Sequence, residues 1–319
     1  MASNNSMAER RPISVIIPTA SRAGALNRTL ESLAAQEVSP TEILICDASV
    51  DLETKSLCEA VTTSAMQIRW MRSERRGAAS QRNEAFAQAS QPFVLFMDDD
   101  IRLEPGCLAR LWQALQGNPA LGGVNSMITN QSYHPPGALR HALFRFLHGG
   151  SASSYAGQWL GGALNVLPED RTDLPEVVPV QWLNTTCTLY RREALPDPPF
   201  PHWFYGYSLS EDLWLSLEVQ RRGWKVANAR TARIFHDSQP GRHKHRQSEV
   251  VAMELANVWR VGREYSGLSR RRLIMNLVAV QIVKLIASLS RPSEWPMMSA
   301  RLWGNVLGWR EIFVGLKNI

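Results

Sequence analysis

Three consecutive aspartates, Asp98, Asp99 and Asp100, follow the uninterrupted apolar run Phe93–Met97. A lone aspartate, Asp47, closes the similar run Glu42–Cys46, and Glu211–Asp212 stand at the head of a helical repeat. Adjacent carboxylates repel one another unless a cation offsets them, and in an extended chain Asp98 and Asp100 point the same way. That pattern favours a shared divalent ion. Magnesium or manganese held by one or two carboxylates completes its shell with substrate phosphates. A solvated acidic turn or helix N-terminus is the competing reading, and the position directly after a buried strand favours the metal. Ser210, Glu211 and Asp212 fit a helix cap, a role compatible with catalysis. His236 follows the strand-like Ala232–Phe235, where a histidine is as readily structural as functional.

These groups need a scaffold. Ile13–Ile17, Glu42–Cys46 and Phe93–Met97 are apolar at nearly every position, which predicts strands buried on both faces of a parallel sheet, and Gln67–Met71 looks like a further strand between them. Helical spacing at Leu26, Leu30 and Leu33, and again over Ala78–Ala89, separates them. Strand, helix, strand, repeated, predicts a doubly wound α/β unit with right-handed crossovers. Ligands bind such sheets beyond the carboxyl ends of the strands, so Asp47 and Asp98–Asp100 should converge on one crevice. Further on, the spacing predicts a helix at Leu108–Leu115 and a strand over Val180–Tyr190. A helix over Glu211–Arg222 and two short closing strands, Trp224–Asn228 and Thr231–Phe235, follow. Asn130–Pro179 reads as loop, with one amphipathic candidate at Ala138–Leu147. From Ser248 the chain is helical and basic, which predicts a boundary near residue 240. The first strand–helix turn, Pro18–Gly24, has neither GxGxxG nor GxxxxGK[ST], so a dinucleotide fold and a P-loop are excluded.

With 319 residues and 45 % hydrophobic content, the chain has a sizeable core and is not a disordered or collagen-like protein. A formal charge of +6 points to an anionic partner. Because the basic residues are dispersed and form no recognition motif, nucleic acid is not the expected one. Cys46, Cys58, Cys107 and Cys187 have no metal-ligand spacing, and together with a polar N-terminus they predict a reduced, cytoplasmic setting. Leu273–Leu289 is interrupted by Asn276, Gln281, Lys284 and Ser288, which argues against a membrane span.

Ile13–Thr19, Leu30–Leu33 with Gln36, and Ile45–Ser49 with Asp51 resemble the opening of family 2 glycosyltransferases of the GT-A fold. The resemblance continues in order through Gly77, Ala79, Arg82–Asn83, Phe96–Asp100, Glu211–Asp212 and Arg222–Trp224. It implies a GT-A type doubly wound mixed sheet over residues 12–240, after a disordered 1–11. Residues 12–100 would bind the nucleotide sugar and 101–240 the acceptor, with 241–319 a helical extension. It also implies a metal-dependent inverting transfer from a UDP- or dTDP-type sugar to a saccharide or polyprenyl-linked acceptor. Pro18, Thr19 and Asp47 would line the base and ribose pocket, and Arg82 would lie near the phosphates or brace the acidic loop. Asp98 and Asp100 would form a DxD motif holding Mg2+ or Mn2+, with Asp99 turned to the ribose or sugar and His236 nearing the metal. Asp212 would take the acceptor proton. Where the family often has two acids before its Gly-Ser turn, this chain has Cys46 first, which weakens any inference about the base.

Trp182, Trp203, Tyr205 and Tyr207, with Glu211, are candidates for the acceptor side, the aromatics as a sugar-stacking wall. Arg242, His243 and His245 belong to the densest basic run and suit a lid over the diphosphate. A nucleotidyltransferase and a catalytically silent membrane-bound scaffold are the rival readings. The first usually has a glycine-rich phosphate loop, which is missing. Against the second stand the intact Asp98, Asp100 and Asp212. On a helical projection Ile274, Val278, Ile282, Leu285 and Leu289 form an apolar stripe opposite Asn276, Lys284 and Ser288. Arg270–Arg272 precede it and Trp295, Trp303 and Trp309 follow, which predicts a peripheral anchor at the anionic inner face of the membrane. The alternative is packing on the catalytic part or on a second subunit.

Overall fold

The computed structural model describes residues 9–63, 66–238 and 247–315. Its first half runs β1 (Glu9–Thr19), α1 (Ala23–Ala34), β2 (Val38–Asp47), α2 (Glu53–Val61), β3 (Ile68–Arg72), α3 (Ala78–Phe86) and β4 (Phe93–Met97). The strands lie in the order β3-β2-β1-β4, all parallel. Alternate residues of β1 serve two cores. Val15 and Ile17 pack with Leu26 and Leu30 of α1, whereas Ile16 packs with Ala79 and Phe86 of α3. Burial on both faces is why the central parts of β1, β2 and β4 carry almost no polar alternation, whereas β3, at the sheet edge, alternates and is partly exposed.

The second half runs β5 (Ile101–Leu103), α4 (Cys107–Gln116), β6 (Leu121–Ile128), α5 (Ala138–His148), β7 (Trp159–Leu160) and β8 (Leu164–Asn165). Then come β9 (Val177–Pro179), β10 (Cys187–Arg191), α6 (Glu211–Arg221) and β11 (Lys225–His236). The sheet continues from β4 as β10-β6-β11-β5, with β10 antiparallel to both β4 and β6, and β9 pairing with β11. The sheet is therefore mixed.

Several expectations change here. Strand β1 already begins at Glu9, within the segment expected to be disordered, and β7, β8 and β9 lie in the stretch read as loop. Only Cys187–Arg191 of the predicted Val180–Tyr190 strand joins the sheet. The preceding residues turn inward, where the Trp182 indole donates to the Val166 carbonyl and the Leu183 N–H to Ser216 Oγ. The two closing strands are one strand, β11, whose register against β6 shifts between Ala229 and Arg233. Strand β6 is buried along its whole length, although Gly122, Gly123, Asn125 and Ser126 give it no apolar pattern. Its glycines are dictated by packing, since a Cβ on Gly123 would stand 2.5 Å from the Tyr190 ring.

Helices α7 (Gln247–Tyr265), α8 (Arg270–Leu289) and α9 (Met298–Gly315) complete the chain. They share a core with α5, Tyr155 and Leu160. Gly304 and Gly308 bring α9 against α7, where a Cβ on Gly304 would meet the Ser248 carbonyl at 2.6 Å. Helix α8 leaves much of its apolar stripe exposed and turns Asn276 and Ser288 inward. Its buried face holds Asn276 and Ser288 beside Leu273, Leu277 and Val280, and Asn276 Nδ2 donates to the Gly161 carbonyl at 2.7 Å. Val278, Ile282 and Leu289, with Met275 and Ile286, are exposed. By length and composition α8 is apolar enough to cross a membrane, although its inner face is committed to the protein.

Candidate active site

The chain leaves β1 toward β2 on one side and returns to β4 on the other, which opens a crevice at the carboxyl ends of both strands. A cavity of about 890 Å³ occupies it. Pro18 and Thr19 end β1, Asp98–Asp100 follow β4, Glu211–Asp212 begin α6 and His236 ends β11, and all of them line this cavity. Residues far apart in sequence are thus delivered to one space by strand ends and one helix start.

The acidic triplet is divided among different partners. Thr19 Oγ1 donates to Asp99 Oδ2 at 2.6 Å. Arg22 spans Asp99 Oδ1 at 3.0 Å and Asp100 Oδ2 at 2.5 Å. Burial pushes the Asp99 carboxyl up to about 7 against the pull of Arg22 and Thr19. Burial also raises Asp98 despite Arg82. Asp100 is buried too, but the bonds from His236 and Arg22 hold it below the usual carboxylate range.

Three donor groups, one each from Asp98, Asp100 and His236, lie within 4.8 Å of one another. Two carboxylates and one imidazole form an oxygen-rich set that fits a divalent ion of the magnesium or manganese class. His236 Nε2 stands 3.2 Å from Asp100 Oδ1, a bond that raises the imidazole's pKa. Gln131 Nε2 stands 3.1 Å from His236 Nδ1, and because an amide NH2 donates, it orients the ring with Nδ1 as the acceptor.

Arg82 joins the two acidic groups. Its side chain is 2 % exposed, with Nη2 on Asp98 Oδ1 at 2.6 Å and Nη1 on Glu211 Oε1 at 3.0 Å. Burial raises both Glu211 and Asp212, so this carboxylate pair retains a proton more readily than exposed acids do. Asp212 Oδ1 accepts from the Leu213 N–H at 2.7 Å, so it caps the first turn of α6 while facing the cavity. The loop before α6 has left-handed backbone at Ser208 and Ser210, φ 52° and 71°, and at Gly206. Gly206 bridges to Gly77, where a Cβ would come within 3.0 Å of the Gly206 carbonyl. The start of α3 therefore seats the loop that delivers Asp212.

Several predicted residues are elsewhere. Asp47 is fully buried and faces inward, accepting from the Ser49 N–H at 2.8 Å and the Trp70 indole at 3.1 Å. It braces the end of β2 and is not among the residues that line the cavity. Trp182 belongs to the core, satisfied by Val166. Tyr207 lines the main cavity, whereas Tyr205 lines a smaller neighbouring one with Arg75 and His202. Arg242, His243 and His245 lie outside the described residues. Two site residues had not been singled out. Arg22 is one of them, although it lies in the Pro18–Gly24 turn. The other is Gln81, whose Nε2 ties the carbonyls of Thr19 and Cys46 together at 2.8 and 2.6 Å. Its position directly before Arg82 was the available signal.

Residues 14–197 match the family model described as glycosyl transferase family 2. A curated relative, the GalNAc(5)-diNAcBac-PP-undecaprenol beta-1,3-glucosyltransferase of Campylobacter jejuni, is 23 % identical over 260 residues, covering 81 % of this chain and 73 % of the relative. Among solved structures, the mannosyltransferase PcManGT of Pyrobaculum calidifontis, in complex with GDP-Man and Mn2+, superposes with a TM-score of 0.55. It is 18 % identical, and the match covers 97 % of this chain and 80 % of that one. S. aureus TarS 1-349 in complex with UDP-GlcNAc gives a TM-score of 0.56 at 17 % identity, covering 90 % and 79 % of the two chains.

Proposed function

Because the chain belongs to the family 2 glycosyl transferases and has their GT-A type fold, we propose that it is a metal-dependent, inverting enzyme. It would transfer a hexosyl or deoxyhexosyl group from a nucleotide-diphosphate sugar, UDP- or dTDP-type, to a saccharide or polyprenyl-linked saccharide. One observation carries the reading. A single cavity holds a metal-type triad on one wall and an acid pair at a helix start on the other, joined by Arg82.

Asp98, Asp100 and His236 would hold the ion, which when bound neutralises the diphosphate and eases its departure. Arg22 keeps Asp99 and Asp100 oriented, and Thr19 fixes the second Asp99 oxygen. Asp212 takes the proton of the attacking hydroxyl, a step that typically contributes about 10²–10⁴ in rate. Burial favours that role, since a carboxylate with a raised pKa is the stronger base. Arg82 holds Glu211, the neighbour of this base, against Asp98, so the two ends of the site keep a fixed spacing. Transfer assayed with purified protein, Mn2+ and a panel of nucleotide sugars tests the proposal. Asp212→Asn should bind nucleotide diphosphate normally and lose at least about 100-fold in kcat. Near-normal turnover would refute the base assignment, and full wild-type activity in excess chelator would refute the metal.

A polyprenyl-linked acceptor would put the enzyme at the cytoplasmic face of the membrane, as a peripheral protein. The undecaprenol-linked substrate in the relative's name supports this, as does one surface. Helices α5 and α8 contain no aspartate or glutamate, and they expose Leu139, Phe146, Val278, Ile282 and Ile286 alongside Arg140, Arg145, Arg270 and Arg271. Each basic residue near an anionic leaflet contributes on the order of 1 kcal/mol. The full chain should float with vesicles containing phosphatidylglycerol, and Ile282→Asp with Ile286→Asp should not. A stable homodimer that fails to bind vesicles would assign the face to a second copy instead.

A further inference from the structure

Leu209 lies between the two left-handed serines of the loop before α6, and its carbonyl is held by one side chain from α7. Asn257 is 2 % exposed, and its Nδ2 donates to the Leu209 oxygen at 2.8 Å. The orientation of that amide is not free. Arg260 Nη1 approaches Asn257 Oδ1 at 3.2 Å, and because a guanidinium can only donate, the amide must turn its NH2 toward Leu209. Arg260 is itself fixed from two sides. Its Nη2 pairs with Glu311 Oε1 of α9 at 2.6 Å, and its guanidinium lies 5.4 Å over the ring of Trp203, at the start of the same loop. The chain Glu311–Arg260–Asn257–Leu209 thus runs from the last helix to the residue two before Glu211.

We propose that Asn257 is a positioning residue for the transfer step: it locks the backbone that aims Asp212 at the acceptor hydroxyl. The inference rests on the reading of Asp212 as the base. Left-handed serines are strained and persist only where the surroundings over-determine them. Besides Arg260 over Trp203, this loop is held from outside by the Gly77–Gly206 bridge, Asn83 on Phe200 and Asn257 on Leu209. Asn257 acts closest to Asp212 and touches neither the triad nor any other wall of the cavity. Its loss should therefore misdirect the base and leave donor binding intact.

Asn257→Asp in the full chain is the test, because it keeps the size and the acceptor facing Arg260 but removes the donor. A misplacement of about 1 Å can cost 10²-fold, so kcat should fall about 10- to 100-fold. Nucleotide-diphosphate affinity in Mn2+ should stay within about twofold, since those contacts are untouched. Backbone amide exchange should quicken over 205–213 and not in β1, β2 or β4. In the D212N background, N257D should cause no further loss, because residues acting through one group are non-additive. If N257D does not fold, Arg260→Gln, which frees the amide from outside, should give the same pattern at smaller size. Wild-type kcat in N257D alongside an inactive D212N would overturn the positioning role alone, as would an equal loss in both backgrounds. Full turnover of D212N would instead remove the base assignment.

Discussion

Replacing Arg82 by Met tests whether one guanidinium balances both acidic walls. Met keeps an unbranched apolar stem in a site that is 2 % exposed, and it deletes the bonds to Asp98 Oδ1 and Glu211 Oε1 at 2.6 and 3.0 Å. Breaking a buried pair by removing one partner costs about 3–5 kcal/mol, because the remaining charge is left uncompensated. The two bonds share a single cation, so the cost is counted once. The carboxyls can escape it by taking protons. Asp98, Glu211 and Asp212 already have raised folded-state pKa values, chiefly through burial, and losing Arg82 must raise them further. For a carboxyl raised in the folded state, stability is fully present below its unfolded pKa and is lost as pH climbs through the folded value. The deficit of R82M should therefore approach about 3–5 kcal/mol at pH 8 and shrink to about 1 kcal/mol near pH 5. Urea unfolding of both proteins at the two pH values reads it directly. A deficit equal at both, or under about 1 kcal/mol at pH 8, would show that the carboxylates have another counter-charge.

Asp99→Asn should be close to neutral at pH 4 and more stable than the parent above pH 8. A carboxyl raised from 3.8 to about 7 corresponds to at most about 4 kcal/mol, and denaturant titration across that window measures it. Mn2+ affinity should climb between pH 6 and 8 with proton release, because His236 and Asp98 both have raised pKa values and must deprotonate before all three donors face a cation. Calorimetry in buffers of different ionisation enthalpy checks this, and a pH-independent affinity without proton release contradicts it. Gly77→Ala should lower kcat and cost about 1–3 kcal/mol of stability, since its Cβ would press on the Gly206 backbone at a φ of 146°. Unchanged kinetics would show that the loop does not need that seat.

Much of the fold was legible before any coordinates, for local reasons. Near-continuous apolar runs mark strands buried on both faces, so β1, β2 and β4 could be read directly from Ile13–Ile17, Glu42–Cys46 and Phe93–Met97, and the edge strand β3 from its β-branched and aromatic residues. The acid triplet implied a cation, and the spacing of the distant motifs implied the family. Strand β6 was not legible, because its Gly122 and Gly123 answer to Trp224 and Tyr190 on other elements. Asp47 was expected in the site from its motif position and Trp182 as a stacking aromatic, yet both are buried and held by internal hydrogen bonds away from the cavity lining. Arg22 and Gln81 carry no pattern of their own, and their roles exist only where β1, β2 and the acidic loop meet.

The amphipathic projection of α8 identified an apolar stripe correctly but could not say which side the protein would cover. The tertiary structure covers the side on which Leu273, Leu277 and Val280 join the core shared with α5 and α7, and there Asn276 also supplies a donor to the Gly161 carbonyl. Periodicity and residue type thus determined what each segment could become. The pairing of groups distant along the chain, which no local pattern encodes, decided which side chains reach the cavity and which hold it in shape.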